Sequence, residues 1–304
     1  MNEPSDTAAD PGLLRLGTSS FSETDWVGPF YPRGTKPAEF LAVYARHFDT
    51  VEIDSTYYAV PSATTVDGWA EKTPGGFTFA AKFPAAIVHA GEGPTPDSGR
   101  VLAPDHVNPV RDRFLEVISR LGDKLGPLLI QFPWFSKEVF PDSGVFFERL
   151  DRFLAGLPRE YRYAVEIRNR QWMTPDLAGL CRDHHAALVL ADYASMPLGY
   201  EVEKRFDPVT ADFSYIRLIG HRKQIEAITT RWDREVIDRG KNLEAWAGLI
   251  GRFAARRVLT YIFINNHYAG HAPATLRRLG KLVFGEGWGE EVESPAGRRE
   301  GELF

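Results

Sequence analysis

Short runs of strand-forming residues alternate with segments of helical spacing along the whole chain, and this limits the fold more than any other feature. The runs are LLRLGTS (13–19), TVEIDST (50–56), FTFAAKF (77–83), PLLIQF (127–132), YAVEIR (163–168), AALVLAD (186–192), FSYIRLI (213–219) and VLTYIFINN (258–266). Between them, apolar residues recur at three- and four-residue intervals. Leu41, Tyr44, Ala45 and Phe48 form one such stripe, and Val110, Phe114, Val117, Ile118 and Leu121 a second. Phe146, Leu150, Phe153, Leu154 and Leu157 form a third, and Leu243, Trp246, Ala247, Ile250, Phe253 and Ala254 a fourth. Shorter helices are expected over 63–72, 175–185 and 272–283, and no clear one over 193–212. Strands alternating with helices imply a parallel sheet. Eight such units in about 270 residues predict a single (β/α)8 barrel of the TIM type, an α/β fold. An open doubly wound sheet is the rival, but GTSSFS after the first strand is not the glycine-rich phosphate fingerprint of that class.

The chain of 304 residues reads as one barrel domain over 13–284, with tails at 1–12 and 285–304, the second rich in Gly and Glu. A net charge of −5 argues against a nucleic-acid partner. The single cysteine, Cys181, excludes a disulfide framework and a cysteine-rich metal site, and suits a reducing cytoplasm. The N-terminus lacks the pattern of a signal peptide, and no apolar run approaches the roughly 18 residues of a membrane span. A soluble cytoplasmic protein acting on a small molecule is expected; the sequence sets no oligomeric state.

In a closed barrel, alternate strand residues face the helices and the lumen, and active sites sit at the C-terminal ends of the strands. With Val51 and Ile53 outward, Glu52 and Asp54 face in. The same rule turns Lys82, Gln131, Glu166, Arg168 and Arg217 inward, and, with Val189 and Ala191 taken as outward, Asp192 as well. Six strands thus each bring polar side chains to the lumen near their last turn. In an interior that Val, Ile and Leu fill at lower cost, this points to a site, or else to an ion network that only fills the barrel.

Several segments also resemble a known family. GTSSFSETDWVGPFYP, FDTVEIDSTYYAVPSATTVDGW, FTFAAKFP, LLIQFPWF, YAVEIRNRQW and FINNHYAGHAPATLRRL look like the YecE-like family, domain of unknown function 72, over roughly residues 13–283. The resemblance implies a TIM-type barrel and supplies no reaction. At the seventh strand the chain reads YIRLIGHRK, where family members tend to carry a His-Gly pair directly after the strand; His221 is the displaced counterpart.

Crowded carboxylates shift one another's pKa, which suits acid/base work. Glu166, with Glu52 and Asp192, is the candidate acid/base set. Arg168, Arg217 and Lys82 are candidate anchors for an anionic, sugar- or phosphate-like substrate, with Asp54 and Gln131 beside them. Asn265 and Asn266 end the eighth strand, where Gly270 precedes a helix that offers amides to an anion. Trp134 and Trp172 follow the fourth and fifth strands as candidate stacking walls. Ser19 and Ser20 could at most bond a ligand, and Cys181 sits on an apolar helix stripe as packing. Retaining glycosidases on barrels need carboxylates where this chain has Gln131 and Arg217. No cofactor is expected; the one metal option is a divalent ion on Glu52, Glu166 and Asp192, opposed by the neighbouring arginines. The leading reading is metal-independent acid/base chemistry by a hydrolase, lyase or isomerase. A metal-dependent phosphodiesterase or nuclease and a non-catalytic ligand-binding barrel are the alternatives.

Overall fold

In the computed structural model, which describes residues 10–91 and 93–288, the eight runs form strands β1 (Leu14–Thr18), β2 (Thr50–Ile53), β3 (Thr78–Lys82), β4 (Leu125–Gln131), β5 (Tyr163–Glu166), β6 (Ala187–Tyr193), β7 (Phe213–Gly220) and β8 (Leu259–Ile264). All pair in parallel in sequence order, and β1 also pairs with β8, so the sheet closes into a barrel. The helices are α1 (Phe40–Tyr44), α2 (Ala63–Glu71), α3 (Ala85–Val88), α4 (Pro104–Ile118), α5 (Ser143–Ala155), α6 (Pro175–Asp183), α7 (Gly199–Val202), α8 (Arg222–Glu226), α9 (Gly240–Ala255), α10 (Asn266–Ala269) and α11 (Ala272–Phe284). The β6–β7 connection, where no clear helix is expected, holds only the four residues of α7.

Helix starts follow from local chemistry. Ser62, Asp142 and Thr174 accept from backbone amides at the heads of α2, α5 and α6, satisfying donors that a helix leaves free. The four longest stripes become the buried faces of α1, α4, α5 and α9, packed against outward strand residues such as Val51, Ile53, Val165 and Ile167. Residues 1–9 and 289–304, most of the expected tails, lie outside the described residues. Of the remainder, Pro11–Leu13 forms a 3-10 turn and Trp288 stacks on Phe284 at 5.5 Å. No helix among the described residues is long and apolar enough to cross a membrane.

The lumen has its own core of Ala80, Leu129, Ala164, Ala187, Val189, Phe213, Tyr215, Tyr261 and Phe263. Large rings on β7 and β8 face small residues on β3, β5 and β6, so one side fills the space the other leaves. Val189 belongs to this interior, while Leu188 and Leu190 pack outward, which corrects the expected phase of β6. The cause is physical. A strand buried on both faces reads as a continuous apolar run, and AALVLAD contains nothing that fixes which side is which.

Candidate functional site

The lumen floor is apolar, and its C-terminal end is ionic. Arg217 on β7 is the centre. Its Nη2 lies 2.7 Å from Glu52 Oε1 and its Nη1 2.6 Å from Glu166 Oε2, while Nη1 also donates to Gln131 Oε1 at 3.2 Å. Gln131 and Glu166 are register partners across β4 and β5, which brings these groups to one level. The Tyr215 hydroxyl, two residues before Arg217 on the same face, donates to Glu52 Oε2 at 2.7 Å. From Glu52 the chain of charges continues to Lys82 at 3.8 Å and on to Asp54 at 2.5 Å. From Glu166 it continues to Arg168 Nη2 at 2.5 Å, whose guanidinium lies over the Tyr193 ring, 3.7 Å from its centroid. The seven residues placed inward on β2, β3, β4, β5 and β7 therefore meet in one network.

Three carboxylates and three cations make the cluster neutral, but the balance differs between members, and burial with the neighbouring Glu52 raises the Asp54 carboxyl against the pull of Lys82. Burial alone pushes the Glu52 carboxyl up, but Arg217 and Lys82, with the Tyr215 hydroxyl, outweigh it and hold the group below the usual carboxylate value. Burial and the adjacent Glu52 raise the Tyr215 phenol well above its ordinary value. Burial would lower Arg217, yet the carboxylates around it raise it. For Arg168 the balance reverses: burial and repulsion from Arg217 together lower it despite Glu166. Two donors in the cluster, Arg168 Nη1 and Arg217 Nε, are buried without an acceptor among the described residues.

Asp192 is not part of this group. In phase with Leu188 and Leu190, it points out of the barrel, where its Oδ2 accepts from Trp246 Nε1 at 2.9 Å and Asn242 Nδ2 at 2.6 Å, both on α9. The trio Glu52, Glu166 and Asp192 therefore does not converge on a divalent ion, and Arg217 fills the gap between the two glutamates. Among the described residues no three His, Cys, Asp or Glu side chains do converge to that degree. Burial raises the Asp192 carboxyl against the pull of Trp246 and Asn242. Its stabilising contribution is thus fully present below the ordinary Asp value of about 3.9 and is lost as pH rises through the raised one. Asp192→Asn, which keeps an oxygen for both donors, should at neutral pH match the parent or exceed it by up to about 1 kcal/mol. Any gain should vanish in acid. Urea denaturation at both pH values checks this, and a neutral-pH loss above that size contradicts it.

The aromatic walls divide. Trp134 is 61% exposed, whereas Trp172 is buried and stacks on Phe146 at 5.0 Å, so it braces the β5 loop from beneath and does not line the mouth. The Asn pair divides too. Asn266 Oδ1 accepts from Trp26 Nε1 and from the Ala272 amide, so the head of α11 offers that amide to no anion. Gly270, at φ +117°, serves the turn itself, since a Cβ there would lie 2.5 Å from the Arg234 carbonyl oxygen. Both asparagines line a cleft of about 180 Å³ shared with Ser19, Ser20, Asp54, Trp232 and His267, and Asn265 is the one that fixes the His267 ring there. His221 is exposed and caps α8 through its Nδ1. Cys181 is buried, and burial pushes its thiol up to about 12, the state of a packing residue.

Sequence reasoning passed over Tyr215, Tyr193 and Trp232, and noted His267 after the eighth strand without giving it a role. Tyr215 could have been found from its spacing to Arg217. The others reach the mouth from the last residue of β6, from the β7–β8 connection and from α10, where strand alternation gives no direction.

Comparison with known proteins agrees with this architecture. A family model described as "Protein of unknown function DUF72" matches residues 15–297. The chain is similar to the UPF0759 protein YecE of Escherichia coli K12, 35% identical over 161 residues, which cover 53% of this chain and 50% of that protein. It is also similar to the UPF0759 protein YunF of Bacillus subtilis, 26% identical over 54% of this chain and 53% of that one. The chain thus spans about half the length of the curated relatives it matches. Among solved structures, a DUF72 family protein from Thermotoga maritima superposes with a TM-score of 0.63 at 26% identity, covering 89% of this chain and 99% of that one. A second, from Enterococcus faecalis, gives 0.60 at 21% identity over 89% and 97%, a likeness of fold.

Proposed function

The chain belongs to the DUF72 family, and from the chemistry of its barrel mouth we propose that it is an enzyme acting on a small polar substrate that carries an anionic group. One observation carries this reading. Arg168 is held by Glu166 and Tyr193 at the C-terminal end of a β/α barrel, and its Nη1 is buried with no acceptor among the described residues. A buried donor left unpaired costs about 1–3 kcal/mol, more when charged, and a ligand oxygen would remove that cost. Arg168 is the anion anchor in this reading. Glu166, whose oxygens are both engaged by arginines, orients Arg168 and Arg217, and Glu52 does the same for Arg217 and Lys82. Asp54, with 34% of its side chain exposed, is the carboxylate open to a substrate.

The test is a thermal-shift titration with inorganic phosphate, sulfate and small carboxylates on the parent and on Arg168→Met. A ligand at a hundred times its Kd stabilises the fold by about 2.7 kcal/mol. At least one anion should raise the parent's Tm in a saturable way and leave the variant unmoved. No shift, or an equal shift in both proteins, removes the anion anchor.

A further inference from the structure

Beside Asp54 lies the cleft of about 180 Å³, well under the roughly 300–1,000 Å³ of drug-sized sites, so it suits a single ring. Ser19 directly follows β1 there. Its side chain is buried, and its Oγ has no hydrogen-bond partner among the described residues. His267 stands on the same wall with a fixed ring. Asn265 Oδ1 accepts from the His267 backbone amide at 2.9 Å and lies 2.6 Å from Nδ1. That oxygen can only accept, so Nδ1 carries the proton, and in the neutral ring Nε2 keeps a lone pair, 3.5 Å from Glu226 Oε1. Burial and Arg222 lower the imidazole's pKa against Glu226 and Asp54, which favours this neutral form. Trp232 meets the His267 ring edge-to-face at 4.9 Å and adds an aromatic wall.

We propose that this cleft is a subsite for a polyhydroxylated ring, with Ser19 Oγ, His267 Nε2 and Asp54 as its hydrogen-bonding partners and Trp232 as its apolar wall. Hydroxyls both donate and accept, which matches a hydroxyl, a neutral imidazole and a carboxylate converging on one ring-sized space, and a carbon-bearing ring face matches an indole. Asp54 belongs both to the cleft and, through Lys82, to the ion network. The two parts then form one site, whose substrate class is a sugar or cyclitol bearing a phosphate or a carboxylate. The anionic half of that statement rests on the function proposed above; the cleft does not.

The experiment uses the full chain, with xylose, glucose and myo-inositol as neutral probes, glucose 6-phosphate and glucuronate as anionic ones, and inorganic phosphate and acetate as bare anions. Affinities come from calorimetry, and the site from the Trp232 indole and His267 ring signals in NMR. At least one ring compound should perturb both signals and bind about tenfold more tightly than the corresponding bare anion or, if neutral, measurably by itself. Ser19→Ala and His267→Gln should erase that gain while leaving bare-anion affinity as in the parent. A preference for glucose 6-phosphate over glucuronate, or the reverse, tells phosphate from carboxylate. The cleft proposal fails if no ring compound gains over its bare anion and none of the neutral probes binds, or if the gain survives both substitutions. If neutral rings bind through Ser19 and no anion binds through Arg168, the subsite stands and the anion anchor falls.

Discussion

Replacing Arg217 with methionine is expected to destabilise the barrel by about 3–5 kcal/mol, the cost of leaving buried charge uncompensated. Glu52 and Glu166 both lose the guanidinium that spans them, and Glu52 keeps only Lys82 at 3.8 Å and the Tyr215 hydroxyl. The pH dependence separates this cause from lost packing. In the parent, Glu52 sits below its usual value, so its contribution is present above about 4.3 and fades as pH falls through the lowered value. In the variant the same carboxyl should be raised, so its stability is present in acid and lost as pH rises. The gap between the proteins should therefore be widest near neutrality and narrow toward pH 4. Urea midpoints across that range measure it. Adding Glu52→Gln should recover half or more of the loss, because Arg168 with Glu166 and Lys82 with Asp54 then remain as paired charges. A gap independent of pH would mean that the guanidinium acts through its shape alone.

Gly220→Ala should cost about 2–4 kcal/mol by a different route. Gly220 closes β7 at φ +76°, and a Cβ there would lie 2.4 Å from the His267 carbonyl oxygen and 2.6 Å from the Tyr268 Cα. Both obstacles are backbone, so neither can swing away as a side chain tip would. The short helix α10 after β8 must move, and it carries His267 with it. We expect a lowered urea midpoint with unchanged slope, together with a displaced His267 ring signal. Stability within about 0.5 kcal/mol of the parent would show that this turn has slack the structure does not suggest.

The parts of the site legible in the sequence are those that break an apolar pattern. Glu52, Lys82 and Glu166 interrupt otherwise greasy strands, so alternation alone assigns them to the lumen, and Arg217 follows from Ile216 and Leu218 on either side. β6 has no such interruption until Asp192, and its phase could equally be drawn either way. Trp134 and Trp172 both lie on the loop that follows their strand, yet Trp172 is buried under α5 and Trp134 is exposed, because the path of the loop decides and the sequence pattern does not show it. The cleft draws on residues just after β1 and β2, on the β7–β8 connection and on the segment from the end of β8 into α10, and no local pattern joins them. The nearest signal was Asn265 two residues before His267, a pairing in which the amide side chain commonly bonds the backbone ahead of it.

Ring closure has a consequence for how the chain is made. Leu14–Thr18 finds its second neighbour only in Thr260–Ile264, so the first stave to leave the ribosome waits for the last. Until then two sheet borders stay open, each a template for another nascent copy. A stop codon anywhere before residue 260 would leave them open permanently, and such fragments should collect as insoluble aggregates.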